Sequence, residues 1–427
     1  MSGRISLSVL CSLCFMTHAH ALTYDQALDQ AIGYDKKYAS AIYEARSAEY
    51  LTTIGMAGLL PKVMLTGFKA NNNLTQNQPD IFGNPSTAQQ NYTSQAYAAQ
   101  LTQPLLNLSA IASYLQSTKQ GKAAQQKLRI ELNDLKYKAI EAYCSLALAK
   151  ENYTETAKEL NALIEQEQIV SARQLSGASS KTDVEEVTYA LLQTQANLDD
   201  AKNTFMQAKI TLEKLIGSQL SAKELFVVPQ TNLPTDINLD ALISSAKEKN
   251  PKILYQQGSL ESAIYENKKN KAAYMPTIDM VAYQGYQNSN TLSTIGQKSS
   301  QGYLGMQLNI PLSTNGEAYG KERQSAFYVE SQRMLLESEI NDAEEAVKKQ
   351  YFQIKSSNEK LSTLRLQTQV ADRLYSSFLR QKDWGTKSTY ELLTVLRKKF
   401  QSARDLVKTK YERIQAIKKL EVTAEVF

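Results

Sequence analysis

The sequence predicts a mainly α fold with a small β portion: long coiled-coil helical hairpins and four strands per chain. Three observations carry that prediction. One plan is written twice, the segments after each strand pair are proline-free over unusual lengths, and the strand segments alternate apolar and polar residues. Each copy reads helix, proline, strand pair, proline, then two long helices meeting at a Gly-containing turn. Pro61 and Pro104 bracket the first strand pair; Pro276 and Pro311 bracket the second. Prolines end helices and tolerate strand edges, so matched prolines mark matched boundaries. Gly177 opens the turn G-A-S-S-K-T-D-V and Gly385 opens G-T-K-S-T-Y-E-L, with an acid six residues on in both. Internal repetition of this length sets the architecture.

Residues 1–21 read as a cleaved signal peptide. Arg4 is the only charge before Asp25, Ile5 to Met16 is apolar apart from serines and cysteines, and Ala19-His20-Ala21 fits the cleavage pattern. The apolar run is about 12 residues, short of the roughly 20 that span a bilayer. Neither Cys11 nor Cys14 follows a lipoprotein pattern, so no lipid anchor is expected. The first repeat is expected over 22–236 and the second over 237–427, with the linker P-Q-T-N-L-P-T-D around Pro229 and Pro234 between them.

Cleavage would remove both histidines and leave Cys144 as the single cysteine. A His/Cys metal site, a histidine-based catalytic centre and an internal disulfide are thereby set aside. No phosphate-binding glycine loop is present, so no cofactor and no enzyme activity are expected. Net charge is +5 over 427 residues with both signs interspersed, which leaves no nucleic-acid footprint.

Leu22 to Leu28 opens the first helix, with Thr23 as its N-cap. Asn238 to Ile243 opens the equivalent helix of the second copy, which Asn250-Pro251 breaks near its start. From Asn107 to the Gly177 turn the chain stays helix-compatible, with Gly121 as the weak spot. About 70 residues at 1.5 Å each make a rod of roughly 100 Å, which puts the Gly turns far from the strands. The return helix carries heptads: Val184, Leu191, Leu198, Phe205 and Leu212, then Val187, Thr194, Ala201, Ala208 and Leu215. The second copy repeats this with Ile340, Val347, Ile354 and Leu361, and with Leu393, Phe400, Val407 and Ile414. These are coiled-coil seams.

Tyr303 to Ile310 alternates cleanly, with Leu304, Met306, Leu308 and Ile310 on one side. Val63 to Ala70, Tyr97 to Gln103 and Ile278 to Tyr286 are weaker strands. The polar segments between them, Asn71 to Thr93 and Asn288 to Gln301, read as exposed loops. Strands of about ten residues match the membrane-crossing length for tilted β-strands. Four cannot close alone, and an open edge in lipid leaves backbone groups unpaired. Three copies would supply twelve strands. The alternative is a periplasmic coiled-coil structural or adaptor protein whose strands cap a rod. Adaptors carry Gly-rich lipoyl-type β-domains, and none is visible.

The duplication, the run L-P-K-V-M-L at Leu60 to Leu65, L-T-Q-P-L-L-N at Leu101 to Asn107, its counterpart L-N-I-P-L at Leu308 to Leu312, and the two Gly-x-x-Ser-x-x-acid turns resemble the TolC-type outer-membrane efflux family. The resemblance covers essentially all of the mature chain. It implies a homotrimer in the outer membrane, with a twelve-stranded β-barrel continuous with a periplasmic α-helical barrel. It also implies an exit channel for tripartite efflux or type I secretion, docked by a periplasmic adaptor and an inner-membrane transporter. Carried over by motif, the periplasmic gate would pair the acid Asp183, beside Thr182 in the first hairpin, with the base Lys387 in the second, and Glu391 would stand in the first acidic ring. Lys387 stands where the family has arginine; it keeps the charge but lacks the bidentate fork. Thr394 occupies the second acidic-ring position, and Lys382 that of the family's closing tyrosine. Tyr390 and Trp384 flank the turn as packing residues.

Overall fold

The computed structural model describes residues 22–79, 81–220, 238–291, 294–383 and 385–425. The expected signal peptide, the Pro229–Pro234 linker and Trp384 lie outside the described residues. Helices α1 (Tyr24–Tyr34) and α2 (Lys36–Ala57) lead into strands β1 (Lys62–Pro79) and β2 (Pro85–Leu106), then helices α3 (Leu108–Leu175) and α4 (Lys181–Ile216). The order then repeats with α5 (Leu239–Lys249), α6 (Pro251–Lys271), a 3-10 turn (Ala272–Tyr274), β3 (Thr277–Thr291), β4 (Thr294–Asn309), α7 (Glu317–Asp383) and α8 (Thr389–Ala424).

Helix starts and breaks follow local chemistry. Thr23 caps α1 through a capping box with Gln26. Asn250 caps α6 by accepting from the Lys252 amide at 2.9 Å, with Pro251 in the first turn. The first copy breaks at the same place without a proline, because the Asp35 carboxylate accepts from the Tyr38 amide at 2.7 Å. Helices α3 and α7 run unbroken for 68 and 67 residues. Gly121 does not interrupt α3. A Cβ there would stand 3.4 Å from the Ala48 carbonyl, so the glycine is where α2 comes close. Gly55 on α2 is tighter still, with its absent Cβ 2.6 Å from Ser117 Oγ.

The chain divides into two compact units, each drawing on both repeats. One holds residues 1–39, 132–245 and 345–427. Its main core packs Ala27 and Ala31 of α1, Ile140, Tyr143 and Leu146 of α3, Leu212 and Ile216 of α4, and Tyr411 and Ile414 of α8. Heptad positions Val187, Leu212, Val347, Ile354, Phe400 and Ile414 are buried. Cys144 is buried in the same core, and burial pushes its thiol up to about 12, which leaves it unreactive.

The second unit holds residues 40–131 and 246–344 and contains the sheet. Its four strands are antiparallel in the order β1-β2-β3-β4. Val63 faces Leu101, Leu65 faces Ala99, Met280 faces Met306, and Ile278 faces Leu308. Directly opposed residues share a face, so these make one apolar surface. Leu65, Leu304 and Met306 on it are exposed in the single chain. Pro61 and Pro276 directly precede β1 and β3, Pro311 follows β4, and Pro104 sits at a register shift between β2 and β3.

The polar segments expected as loops are strand instead. Asn71 pairs with Thr93 and the ladder continues to Pro79 opposite Pro85, while Asn288 pairs with Lys298. Turn propensity is a local preference. Here it is outweighed by backbone pairing propagated from the apolar part of each hairpin and by cross-strand side-chain bonds. Thr93 donates to Asn71 at 2.9 Å, Asn72 to Ser94 at 2.8 Å, and Thr87 to Asn77 at 2.8 Å.

Gly55→Ala should lower the thermal midpoint of the purified protein by forcing α2 from α3. Gly33→Ala, where nothing lies within 4 Å of the new Cβ, should raise stability by about 0.5–1 kcal/mol through helix propensity. Equal midpoints for the two variants would contradict this packing.

Candidate functional site

The two Gly turns are built alike. After α3 the Ala178 amide donates to the Arg173 carbonyl at 2.8 Å and the Gly177 amide to the Gln174 carbonyl at 3.0 Å. After α7 the Thr386 amide donates to the Gln381 carbonyl at 3.0 Å and the Gly385 amide to the Lys382 carbonyl at 2.9 Å. Gly177 and Gly385 have φ of 77° and 75°. Only glycine takes this left-handed conformation without a Cβ penalty, and it satisfies the last helical carbonyls.

Three residues beyond each glycine a serine starts the next helix. Ser180 and Ser388 are N-caps, and each forms a capping box with the acid three residues on. Those acids are Asp183 and Glu391. Asp183 accepts from the Ser180 amide at 3.0 Å and its hydroxyl at 2.8 Å. Glu391 accepts from the Ser388 amide at 3.0 Å and its hydroxyl at 3.2 Å. The acids that recur after each glycine therefore hold the helix starts.

The remaining carboxylate oxygens differ between the copies. In the first, Asp183 Oδ1 accepts from the hydroxyl of Thr389, at the start of α8. Lys382, at the end of α7, donates to the same Thr389 hydroxyl, and its ammonium lies 3.9 Å from Asp183 Oδ1. One aspartate, one threonine and one lysine thus link the two hairpins. In the second copy Glu391 Oε1 accepts from Lys387 at 2.7 Å, one helical turn away. Lys387 also stands 4.9 Å over the Phe378 ring.

Electrostatics follow these contacts. The Thr389 hydrogen bond, helped by Ser180, holds the Asp183 carboxyl below the usual carboxylate range. Burial pushes the Lys382 ammonium below the usual lysine range, and Asp183 only partly offsets it. The Lys387 hydrogen bond and the Ser388 amide hold Glu391 at about 2. Beneath the turns, Leu163 and Val170 of α3, Val187 and Ala190 of α4, and Leu393, Leu396 and Phe400 of α8 form one apolar cluster, with Tyr375 of α7 against it.

Within the chain, then, the base that Asp183 meets is Lys382, with Thr389, rather than the expected Lys387, whose ammonium is taken by Glu391 one helical turn on. Thr182 is exposed in the first turn of α4. Thr394 donates back to the Tyr390 carbonyl at 2.9 Å. Tyr390, expected to pack, is 67% exposed. Sequence reading passed over Ser180, Ser388 and the buried Thr389. The first two were signalled by the spacings S-x-x-D and S-x-x-E. Among the described residues no helix is long and apolar enough to cross a membrane, and no His/Cys/Asp/Glu cluster could hold a metal ion.

A family model for outer membrane efflux proteins matches residues 27–218 and 242–423, one match per repeat. The chain is 24% identical over 415 residues to the proteases secretion protein PrtF of Dickeya chrysanthemi, covering 95% of this chain and 88% of that protein. It is 23% identical to the alkaline protease secretion protein AprF of Pseudomonas aeruginosa, covering 93% and 83%. Among solved structures, the Campylobacter jejuni CmeC outer membrane channel shares the fold with a TM-score of 0.81 at 16% identity. That match covers 94% of this chain and 85% of that one.

The two carboxylates carry a pH dependence. Both have depressed values, so their stabilisation of the turns is complete above the unfolded range. For Glu391 it should fade as pH falls from about 4.5 towards about 2. Carbonyl-detected NMR titration of Glu391 should show this low value, and Lys387→Met should return it towards the ordinary range. A Glu391 that titrates normally in the wild-type protein would contradict the pairing.

Proposed function

The chain belongs to the outer membrane efflux protein family, and from that premise we propose that it forms a homotrimeric exit channel serving a type I protein secretion system. The observation that carries the reading is the sheet: four antiparallel strands with one apolar face and two outer edges, on β1 and β4, that no other strand among the described residues covers. A membrane-crossing sheet needs every edge paired. Three copies joined β4 to β1 make a closed barrel of twelve strands, within the range of outer-membrane barrels.

The helices support the same assembly. Tyr43, Tyr50 and Ile54 of α2 share one helix face and are each 68% exposed. Phe327 and Met334 of α7, seven residues apart, are also exposed. Faces of this kind bury against neighbouring copies. Family members work with a periplasmic adaptor and an inner-membrane pump, which supply the energy that a conduit lacks. Secreted protein is the favoured cargo because the two relatives that match nearly the whole chain are named for protease secretion.

In this reading the paired turns form the periplasmic gate. Asp183, Lys382 and Thr389 tie the two hairpins together within one copy. Thr182, Lys387 and Glu391 line the aperture, where three copies bring nine such side chains together. The partly exposed Lys387–Glu391 pair contributes little, about 0–1 kcal/mol, so a docking partner parts it at small cost.

Two measurements test this. In planar bilayers, Asp183→Ala combined with Lys387→Ala should raise single-channel conductance, and Glu391→Gln should weaken cation selectivity. Conductance equal to wild type would remove these residues from the gate. In a strain lacking the outer-membrane component of a protease secretion system, the chain supplied with its own adaptor and pump should restore protease in the medium. Restored drug resistance without secreted protease would assign it to small-molecule efflux.

A further inference from the structure

At one end of the sheet all four strands meet helices. Lys62, the first residue of β1, pairs with Thr102; Leu106 pairs with Ile278; and Thr277 pairs with Asn309. Gln103 donates to the Leu59 carbonyl at 2.9 Å and ties β2 to the turn before β1. The joints between strand and helix expose apolar side chains: Leu60, Leu105, Tyr274, Met275, Ile310 and, at 94%, Leu312. Water-soluble joints have no use for such a ring.

Cations stand just beyond it. Lys268 and Lys271 lie three residues apart on α6, and Lys268 stands 4.7 Å over the ring of Tyr265 on the same face. Asn267 donates to the Glu322 carbonyl at 3.1 Å and Asn270 to the Lys321 carbonyl at 3.3 Å. These bonds seat the end of α6 against the start of α7, which carries Arg323 over Tyr319 at 5.6 Å. Among the described residues Lys62, Lys268, Lys271 and Arg323 make no ion pair. Glu317 is closed on Lys321 at 2.6 Å. The other acids here, Glu266, Glu322 and Asp279, are half-buried, whereas the four cations are exposed. The opposite end of the sheet is poorer in cations: residues 71–103 hold no basic residue, and the β3–β4 hairpin holds one, Lys298.

We infer that this collar binds the anionic phospholipid headgroups of the periplasm-facing leaflet. The inference rests on the outer-membrane channel reading, which sets this end of the sheet in that leaflet. Apolar side chains at the joints enter the acyl boundary, tyrosines sit at headgroup depth, and the four cations reach the phosphates on flexible stems. The leaflet offers zwitterionic phosphatidylethanolamine and anionic phosphatidylglycerol. A cluster whose cations close no ion pair among the described residues selects the second.

The test uses the full-length protein reconstituted into vesicles of both lipids at known ratio and re-extracted in mild detergent. Native mass spectrometry then counts the phospholipids retained. Phosphatidylglycerol should be enriched about threefold or more over the bulk ratio. The enrichment should fall to the bulk ratio in the variant Lys62→Gln, Lys268→Gln, Lys271→Gln, Arg323→Gln, and persist in Lys298→Gln at the other end of the sheet. A bulk ratio in the wild-type protein, or enrichment that survives the fourfold change, overturns the collar. Enrichment that survives while the trimer is lost overturns it too, and assigns the cations to contacts between copies. The same preparation is recorded in planar bilayers. A conducting channel without enrichment fails the collar alone, and a preparation that never conducts fails the channel reading beneath it.

Discussion

The outer edges of β1 and β4 are the constraint on which the rest depends. Each is a row of amides and carbonyls that no strand among the described residues pairs. Water could satisfy them; lipid cannot. In the proposed trimer a four-stranded sheet with an apolar face is completed by its neighbours, and the duplicated plan supplies the strands and helices for that closure. The helices inherit this requirement. Each strand joins a helix at the same end of the sheet, so closing the strands into a ring also sets helices side by side. In the proposed trimer, the exposed aromatic faces of α2 and α7 are the surfaces available for such neighbours to bury.

Repetition does not make the copies equivalent. Both turns use the same glycine geometry and the same serine–acid capping box, and a cap of this kind contributes about 1 kcal/mol. The difference lies in the carboxylate oxygen left over. Asp183 spends it on Thr389 and Lys382 of the other hairpin; Glu391 spends it on Lys387 of its own helix. One turn is a link and the other is self-contained. Lys382 reaches the first hairpin on its long stem, which carries its ammonium to 3.9 Å from Asp183 Oδ1.

Much of this was legible in the sequence, because it is set by near neighbours. The doubled plan, the proline boundaries, the glycine turns, the Thr23 cap and the heptad seams all act over a few residues or one helical period. The sequence also determined that the described helices lack a membrane span and that alternation belongs to the strands. Other features needed partners distant in the chain. The strand ends at 71–79 and 85–93 look like loops residue by residue, and only cross-strand pairing makes them sheet. Gly121 and Gly55 look like weak points until α2 and α3 are seen to meet there. Asp183 and Glu391 are each an acid six residues past a glycine, and only Glu391 has a lysine four residues before it, so the sequence signals its partner but not that of Asp183. Tertiary structure alone decided the role of Asp183, because its partners Thr389 and Lys382 come from the other hairpin and only the fold brings them within reach.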